Sequence, residues 1–231
     1  TINKNHAMLL DSRSKAGNYH ENPMRMDVEE IGEMIGVHFA LNTIQNDDLE
    51  IIHALAGHPK DVMEVGVPLS RQACQVEVRG LYDLVIASAG GYPKDINLYQ
   101  SQKALTHAAM IAKDGGWVIL VAECREGSGS RLCEEFLDGV DSPEGVGDKF
   151  QQEGFSIGPH KAYQIARDAT RLNLFLVSDL PDDLARKFFF TPARTISQAL
   201  EIILPCLPAS ARIAILPSAT HIIPYHPGEN P

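Results

Sequence analysis

The stretch DLVIASAGGYPKDINLYQSQKAL, residues 83–105, decides the fold class of this chain. Its first six residues form a short apolar run, which is typical of a strand buried in a parallel sheet. Two glycines follow this run, and a helical pattern then covers residues 96–112. The stretch therefore predicts a buried strand that leads through a glycine loop into a helix.

The same alternation of strand and helix repeats along the rest of the chain. After the first strand we expect a second buried strand over WVILVAEC (117–124) and further strands over NLFLVSD (173–179) and RIAILPS (212–218), with helical segments between them. Repeated alternation of this kind is typical of an α/β layer. The predicted fold class is α/β, with a mostly parallel, Rossmann-like sheet, flanking helices and a partial N-terminal domain.

The residues before this sheet show a different pattern. We expect an irregular segment over 1–22, a helix from Pro23 to Gly36, a strand pair over 37–44 and 49–57, and a connecting helix over 60–74. The predicted domains are residues 1–78 and residues 79–231. Because the first residue is Thr1 and not Met, we also expect the chain to be a fragment of a longer protein.

Composition excludes several classes of partner. The 231 residues are 44% hydrophobic and 22% charged, as in ordinary globular proteins, and carry a formal net charge of −10. Such a charge repels nucleic acids and anionic membranes, and no apolar run reaches the roughly 18 to 20 residues that a membrane helix needs. The four cysteines show neither CxxC pairing nor zinc spacing. We therefore expect a cytoplasmic protein with reduced thiols that binds neither nucleic acid nor membrane.

The helix after the glycine loop carries the candidate site, which we define as Tyr99, Gln100 and Lys103. Their spacing of three and four residues places them on one helical face, near the carboxyl end of a buried strand. A cation, a phenol and an amide beside a helix N-terminus, which Asp95 or Asn97 would cap, suit a small carboxylate. The alternative interpretation is a solvated helix face with an extended lysine side chain.

Other motifs have weaker interpretations. The GxGxxG dinucleotide fingerprint is absent. A second helix is predicted to begin after a Gly-Pro pair and carries His160, Lys161 and Tyr163 at its start. It is either an ordinary capped helix or the second wall of the same pocket. His6 lies alone in a polar segment, and a lone histidine is usually a surface residue.

Taken together, the motifs resemble the nickel-dependent lactate racemase family. The resemblance covers essentially the whole chain and rests on NH (5–6), SRSKAG, ENP, LAGH, residues 83–105, GGWVILVAECREG, FSIGPHKA and ILPSATHIIP. It identifies residues 1–78 with the end of the family's N-terminal catalytic domain and its connecting helix. Residues 79–231 then correspond to the family's C-terminal α/β domain.

The resemblance implies a racemase or epimerase of small 2-hydroxy acids that works by hydride abstraction and return. The family uses a nickel-pincer nucleotide that is covalently tethered to a lysine. By resemblance, His6 is a nickel ligand and so a cofactor-binding residue, whereas Tyr99, Gln100 and Lys103 are the catalytic, substrate-binding residues, with Lys103 pairing with the substrate carboxylate. Tyr163 occupies a substrate-binding position where the lactate enzyme has tryptophan, which leaves the identity of the 2-hydroxy acid open.

The family's tethering lysine and its two acid–base histidines would lie upstream of Thr1. We therefore expect the missing N-terminal part of the same protein to be a partner. The fragment alone is expected to be inactive and to lack the cofactor. Two alternatives remain at this point: an α/β nucleotide-dependent oxidoreductase, and a non-catalytic binding homologue.

Overall fold

The computed structural model describes residues 2–46, 48–154 and 156–225. Contacts divide the chain into two compact units, one formed by residues up to Glu77 and one that begins at Val78. Phe155, the first residue of the FSIGPHKA motif, lies outside the described residues. That residues 1–78 and 79–231 are separate domains stays a prediction.

The first unit is built from short helices and one antiparallel strand pair. Its elements are α1 (Ile2–Ala7), a 3-10 helix (Met8–Leu10), α2 (Pro23–Met34), β1 (Ala40–Gln45), β2 (Ile51–Gly57), α3 (Pro59–Cys74) and β3 (Gln75–Glu77). The helix from Pro23, the strand pair and the connecting helix are confirmed. Asn22 caps α2 by accepting hydrogen bonds from the N–H groups of Met24 and Arg25, and Pro23 takes the first helical position.

The expectation of an irregular segment over residues 1–22 is wrong for residues 2–10, which are helical. The side chain of Asn5 donates hydrogen bonds to the Met24 carbonyl oxygen at 2.8 Å and to Asp27 Oδ2 at 2.9 Å. These contacts hold α1 against α2. Local sequence patterns could not show this helix, because its stability depends on residues about twenty positions away.

The strand pair of the first unit contacts α3 but contains no fully buried residue. Strands β1 and β2 pair antiparallel, with Ala40 opposite Gly57, and none of their residues is buried. Leu41 is 70% exposed and Ile51 62% exposed. Exposed apolar side chains on a two-stranded sheet are unfavourable in water, so this surface needs a packing partner.

The second unit contains a five-stranded sheet and most of the helices. Its elements are β4 (Tyr82–Ser88), α4 (Leu98–Ile111), β5 (Ala112–Val121), α5 (Arg131–Phe136), α6 (Pro143–Glu153), α7 (Pro159–Ala169), β6 (Asn173–Val177), α8 (Asp182–Lys187), β7 (Thr191–Ala193), α9 (Ile196–Ile203), a 3-10 helix (Leu204–Cys206), β8 (Ile213–Leu216) and β9 (Ile223–Tyr225). The sheet has the strand order β7-β6-β5-β4-β8, and every pair in it is parallel. The predicted α/β class and the parallel sheet are confirmed.

The strand order marks one end of this sheet as the expected position of a ligand site. From β4 the chain first builds β5, β6 and β7 on one side and then returns to add β8 on the other. The order of the strands therefore reverses at β4. In open α/β sheets, ligands bind beyond the carboxyl ends of the strands at such a reversal.

Helices cover both faces of the sheet. On one face, Val85, Val118 and Leu120 pack with Leu105 of α4 and Ile165 of α7. On the other face, Leu84, Ile119 and Phe175 pack with Ala199 and Ile203 of α9. Burying each large apolar side chain contributes about 1.5–3 kcal/mol relative to leaving it exposed, and this burial fixes α4 and α7 side by side.

Two details of the second unit differ from the sequence expectation. Strand β5 begins at Ala112 and includes the DGG segment, since Gly115 adopts a φ of +76° and the pairing with β4 shifts between Tyr82 and Leu84. The short strand β7 was not predicted, because Pro192 lies at its centre.

Within the described parts of the chain, none of the helices combines the length and the apolar character needed to cross a membrane.

Candidate functional site

The loop after β4 is shaped by two glycines. Gly90 and Gly91 have φ values of +95° and +75°, which side chains rarely tolerate. Above Gly90 lies the Lys94 side chain, whose ammonium contacts Nε2 of His221 in the segment after β8. Thr220 Oγ1 also donates to the Ala89 carbonyl oxygen at 2.9 Å. The loop is thus tied to the end of β8 at the reversal of the sheet.

Asn97 caps α4 and directs the start of the helix. Its Oδ1 accepts a hydrogen bond from Gln100 N at 3.0 Å. The N–H groups of Leu98 and Tyr99 donate to the carbonyl oxygens of Gly127 at 3.1 Å and Ser128 at 2.9 Å. The helix N-terminus beside the candidate site therefore has its first N–H groups already paired with protein acceptors and offers none of these three to a ligand. Any ligand at this position must be bound by side chains.

The structure brings the three residues of the candidate site together on α4. Lys103 is exposed, and its ammonium donates to Gln100 Oε1 at 2.8 Å. Within the described residues it forms no ion pair with a carboxylate. Tyr99 is half-buried, and this burial raises the pKa of its phenol. The site therefore offers one exposed cation whose position is fixed by a neighbouring amide.

Helix α7 adds two polar side chains beside Tyr99. His160, only 4% exposed, lies edge-on to the Tyr99 ring, with Nε2 3.5 Å from the phenol oxygen. Its Nδ1 accepts a hydrogen bond from Gly158 N at 3.2 Å, so in the neutral ring Nε2 carries the proton and faces the phenol. The Lys161 ammonium lies 5.3 Å from the centre of the Tyr99 ring. His160 and Lys161 therefore lie beside Tyr99 of the candidate site.

Tyr163 lies elsewhere on the same helix. Its ring stacks on Phe150 with centroids 4.8 Å apart and an interplanar angle of 19°. The side chain is half-buried and packs against the core of the second unit. A role for Tyr163 in substrate binding stays a prediction.

Sequence reasoning missed Gln102. Its side chain is almost fully buried, accepts a hydrogen bond from Lys161 Nζ at 2.8 Å and donates to Thr106 Oγ1 at 2.7 Å. The signal available in the sequence is the spacing of Tyr99, Gln102 and Thr106, which lie on one side of α4. Gln102 links α4 to α7 at the candidate site.

His6 lies on α1 of the first unit and is half-buried. In residues 2–46, 48–154 and 156–225 there is no group of three or more His, Cys, Asp or Glu side chains that could hold a metal ion. A single imidazole is a suitable nickel donor but does not make a metal site alone. His6 therefore fits a nickel centre only if the other donors come from an organic cofactor or from outside these residues.

One cavity of the first unit is lined by none of the predicted substrate-binding residues. It has a volume of about 600 Å³ and is lined by residues of α2 and of the start of α3, among them Val28, His58 and Met63. It contains neither His6 nor a cluster of charged groups of one sign. Its shape alone assigns no chemistry to it.

Two buried thiols give a first prediction. Burial raises the pKa of Cys133 to about 12 and that of Cys124 to about 11. The reactive thiolate is therefore scarce at both positions at pH 8, whereas Cys206 is exposed. In native protein treated with iodoacetamide at pH 8, mass spectrometry should find Cys206 alkylated and Cys124 and Cys133 protected. Rapid modification of Cys133 in folded protein would contradict the burial described here.

Comparisons with known proteins agree with one another. The family model "Lactate racemase C-terminal domain" matches residues 79–223. Lactate racemases of Thermoanaerobacterium thermosaccharolyticum and Lactiplantibacillus plantarum are 27% identical over 214 residues and 28% identical over 233 residues. These alignments cover 91% and 96% of this chain but 50% and 54% of the relatives, so the chain spans about half their length.

A solved structure supports the same relationship. The lactate racemase apoprotein from Thermoanaerobacterium thermosaccharolyticum superimposes with a TM-score of 0.91 at 26% identity, covering 97% of this chain and 55% of that one. A Thermotoga maritima protein matches with a TM-score of 0.63 at 14% identity, which shows similarity of fold alone.

Proposed function

The chain belongs to the lactate racemase C-terminal domain family, and we propose that it supplies the substrate-carboxylate site of a 2-hydroxy acid racemase or epimerase. The observation that carries this proposal is Lys103. It is an exposed cation within the matched residues, it has no carboxylate partner in the described part of the chain, and Gln100 fixes its position. Curated relatives named lactate racemase give the reaction class, an isomerase.

The chemistry of 2-hydroxy acids explains why a fixed cation is useful. Removing the C2 proton next to a carboxylate would create a second negative charge. Loss of a hydride from C2 and of the hydroxyl proton avoids this charge and gives a planar 2-keto acid. Return of the hydride to the opposite face of C2 and of the proton to the carbonyl oxygen gives the other stereoisomer. The family's nickel cofactor, when bound, supplies the hydride acceptor, and His6 is proposed as one of its ligands.

In this proposal the candidate site holds one end of the substrate while the other reorients. Lys103 binds the carboxylate through a charge-assisted hydrogen bond. The Gln100 amide and the Tyr99 phenol restrict the orientation of the bound acid, which keeps C2 aligned with the reacting groups. Tyr163 is proposed to limit the size of the C3 substituent.

We further propose that the proton-transfer histidines and the tethering lysine lie in a part of the protein outside these 231 residues. Two observations support this. The chain spans about half the length of its curated relatives. In addition, strands β1 and β2 expose apolar residues such as Leu41 and Ile51 that need a covering surface.

The test replaces Lys103 with methionine in the cofactor-loaded protein at its natural full length. The assay offers single enantiomers of lactate and malate and measures racemisation as loss of optical purity. For the acid that is converted, kcat/KM should fall about 10- to 100-fold, the size expected for one lost hydrogen bond to a charged group. Lys113→Met is the matched control, because Lys113 pairs with Asp83 at the opposite end of the sheet, and it should leave the rate unchanged.

The alternatives give different results in the same experiment. Unchanged kinetics in Lys103→Met would remove this residue from substrate binding. Reduction of added NAD by a 2-hydroxy acid would instead favour the oxidoreductase. Failure to take up the nickel cofactor at all would favour a non-catalytic homologue.

A further inference from the structure

Lys161 is a half-buried cation that the proposed function leaves unexplained. Within the described residues, its ammonium donates to the Gln102 amide oxygen and lies over the Tyr99 ring, but it forms no ion pair with a carboxylate. An ammonium that is partly removed from water and lacks an opposite charge is stabilised when an anionic group is supplied from elsewhere. The chain as a whole carries a net charge of −10, so this local positive charge is not a consequence of composition.

The surroundings of Lys161 hold its ammonium in place. Gln102 is buried and oriented by its hydrogen bond to Thr106, so its carbonyl oxygen faces Lys161. The Tyr99 ring covers another side of the ammonium. Because Tyr99 also belongs to the candidate site, Lys161 is positioned at the edge of the site that Lys103 serves.

Lys103 and Lys161 are two like charges that act on each other across α4 and α7. Burial, followed by the charge of Lys103, lowers the pKa of Lys161 from 10.5 to about 8. The other titratable groups near Lys161 are Tyr99 on α4, Cys133 on α5 and His160 on α7, and none of them is an anion at neutral pH. Two cations on either side of Tyr99, without an anion between them, suit a ligand with more than one negative group.

We propose that Lys161 binds a second anionic group of the substrate, so that the preferred substrate is a 2-hydroxy acid with two carboxylates. This proposal rests on the proposed function, in which Lys103 binds the carboxylate next to C2. The first carboxylate pairs with Lys103. The second carboxylate accepts a hydrogen bond from the Lys161 ammonium and neutralises its charge. A monocarboxylic acid such as lactate can pair with Lys103 but has no second carboxylate for Lys161.

The test measures binding of malate and lactate to the protein at its natural full length, without the nickel cofactor, by NMR titration at pH 7. Malate is expected to bind about 10- to 100-fold more tightly than lactate, the range for one added charge-assisted hydrogen bond. Lys161→Met should remove this preference and leave lactate binding unchanged, whereas Lys161→Arg should retain most of it. Lys103→Met should weaken both acids.

A second readout follows the Lys161 side chain itself. The chemical shift of its ε-carbon reports protonation, and the pKa should lie near 8 in the free chain. Because an anion favours the charged form, malate should raise this pKa and lactate should not. Malate affinity should accordingly fall as pH rises above about 8, where free Lys161 loses its charge.

Two failures can be separated by these variants. If Lys103→Met leaves both affinities unchanged, the proposed function fails. If Lys103→Met weakens both acids but Lys161→Met changes neither their ratio nor the pH profile, only the second-carboxylate proposal is overturned. The second-carboxylate proposal is also overturned if inorganic phosphate raises the pKa of Lys161 and malate does not, because Lys161 would then bind a phosphate group.

Discussion

Replacing Gly129 with alanine is expected to destabilise the second unit by about 2–4 kcal/mol. Gly129 has a φ of +76°, and this left-handed conformation costs about 1–2 kcal/mol for a residue with a side chain. A Cβ atom at this position would also lie 2.6 Å from Asn97 Oδ1 and 2.7 Å from Asn97 Nδ2. Asn97 would have to move, and losing its N-cap hydrogen bond to Gln100 costs about 1 kcal/mol more. Urea unfolding gives the free energy directly.

Gly139 provides a matched control for this substitution. Its φ is +73°, nearly the same as that of Gly129, but a Cβ atom there would meet nothing within 4 Å. Gly139→Ala should therefore cost only the backbone term of about 1–2 kcal/mol. Equal losses in the two variants would show that Asn97 gives way without cost and would contradict the tight packing of the loop against the start of α4.

The same substitution also affects the candidate site. Asn97 positions the first turn of α4, which carries Tyr99 and Gln100. If the cap is displaced, these side chains lose their fixed orientation toward Lys103. Gly129→Ala should thus weaken binding of 2-hydroxy acids under conditions where the protein is still folded, whereas Gly139→Ala should not.

Local patterns predicted most of the elements of the fold, because each has a signal within a few residues. The apolar run of β4, the Pro23 start of α2 and the alternation through β6 all belong to this class. Helix α1 depends instead on Asn5 reaching Met24 and Asp27, and β5 extends back through Gly115. Such features are decided by tertiary contacts, which periodicity does not contain.

In the candidate site, too, the features with a local sequence signal were predictable and those that depend on tertiary contacts were not. Helical spacing placed Gln100 and Lys103 together, and the structure joins them by a hydrogen bond. The occupied N–H groups of α4 could not be predicted, since their acceptors belong to the loop of Gly127 and Ser128. Gln102 was missed for a similar reason: a buried glutamine has meaning only once its partner, here Lys161, is known.

Phe150→Ala is expected to cost about 3–5 kcal/mol, the range for removing a buried aromatic side chain. Phe150 is 1% exposed, stacks on Tyr163 and meets Phe136 edge-on with ring centroids 6.2 Å apart. Because small domains are stable by only about 5–15 kcal/mol, this loss would remove a large fraction of the stability of the second unit. Thermal or urea unfolding measures it, with Phe39→Ala, at a residue 67% exposed, as the control expected to change little.

Phe150→Leu separates packing from aromatic contact. Leucine keeps much of the buried volume but loses the stacking on Tyr163 and the edge contact with Phe136, which together contribute about 1–3 kcal/mol beyond area burial. A loss much smaller than that of Phe150→Ala would therefore indicate that the filled volume dominates. If Phe150→Ala itself unfolds at nearly the denaturant concentration of the unchanged protein, α6 and α7 do not pack through this residue. The stack with Tyr163 would then give no support to α7, the helix that presents His160 and Lys161 to the candidate site.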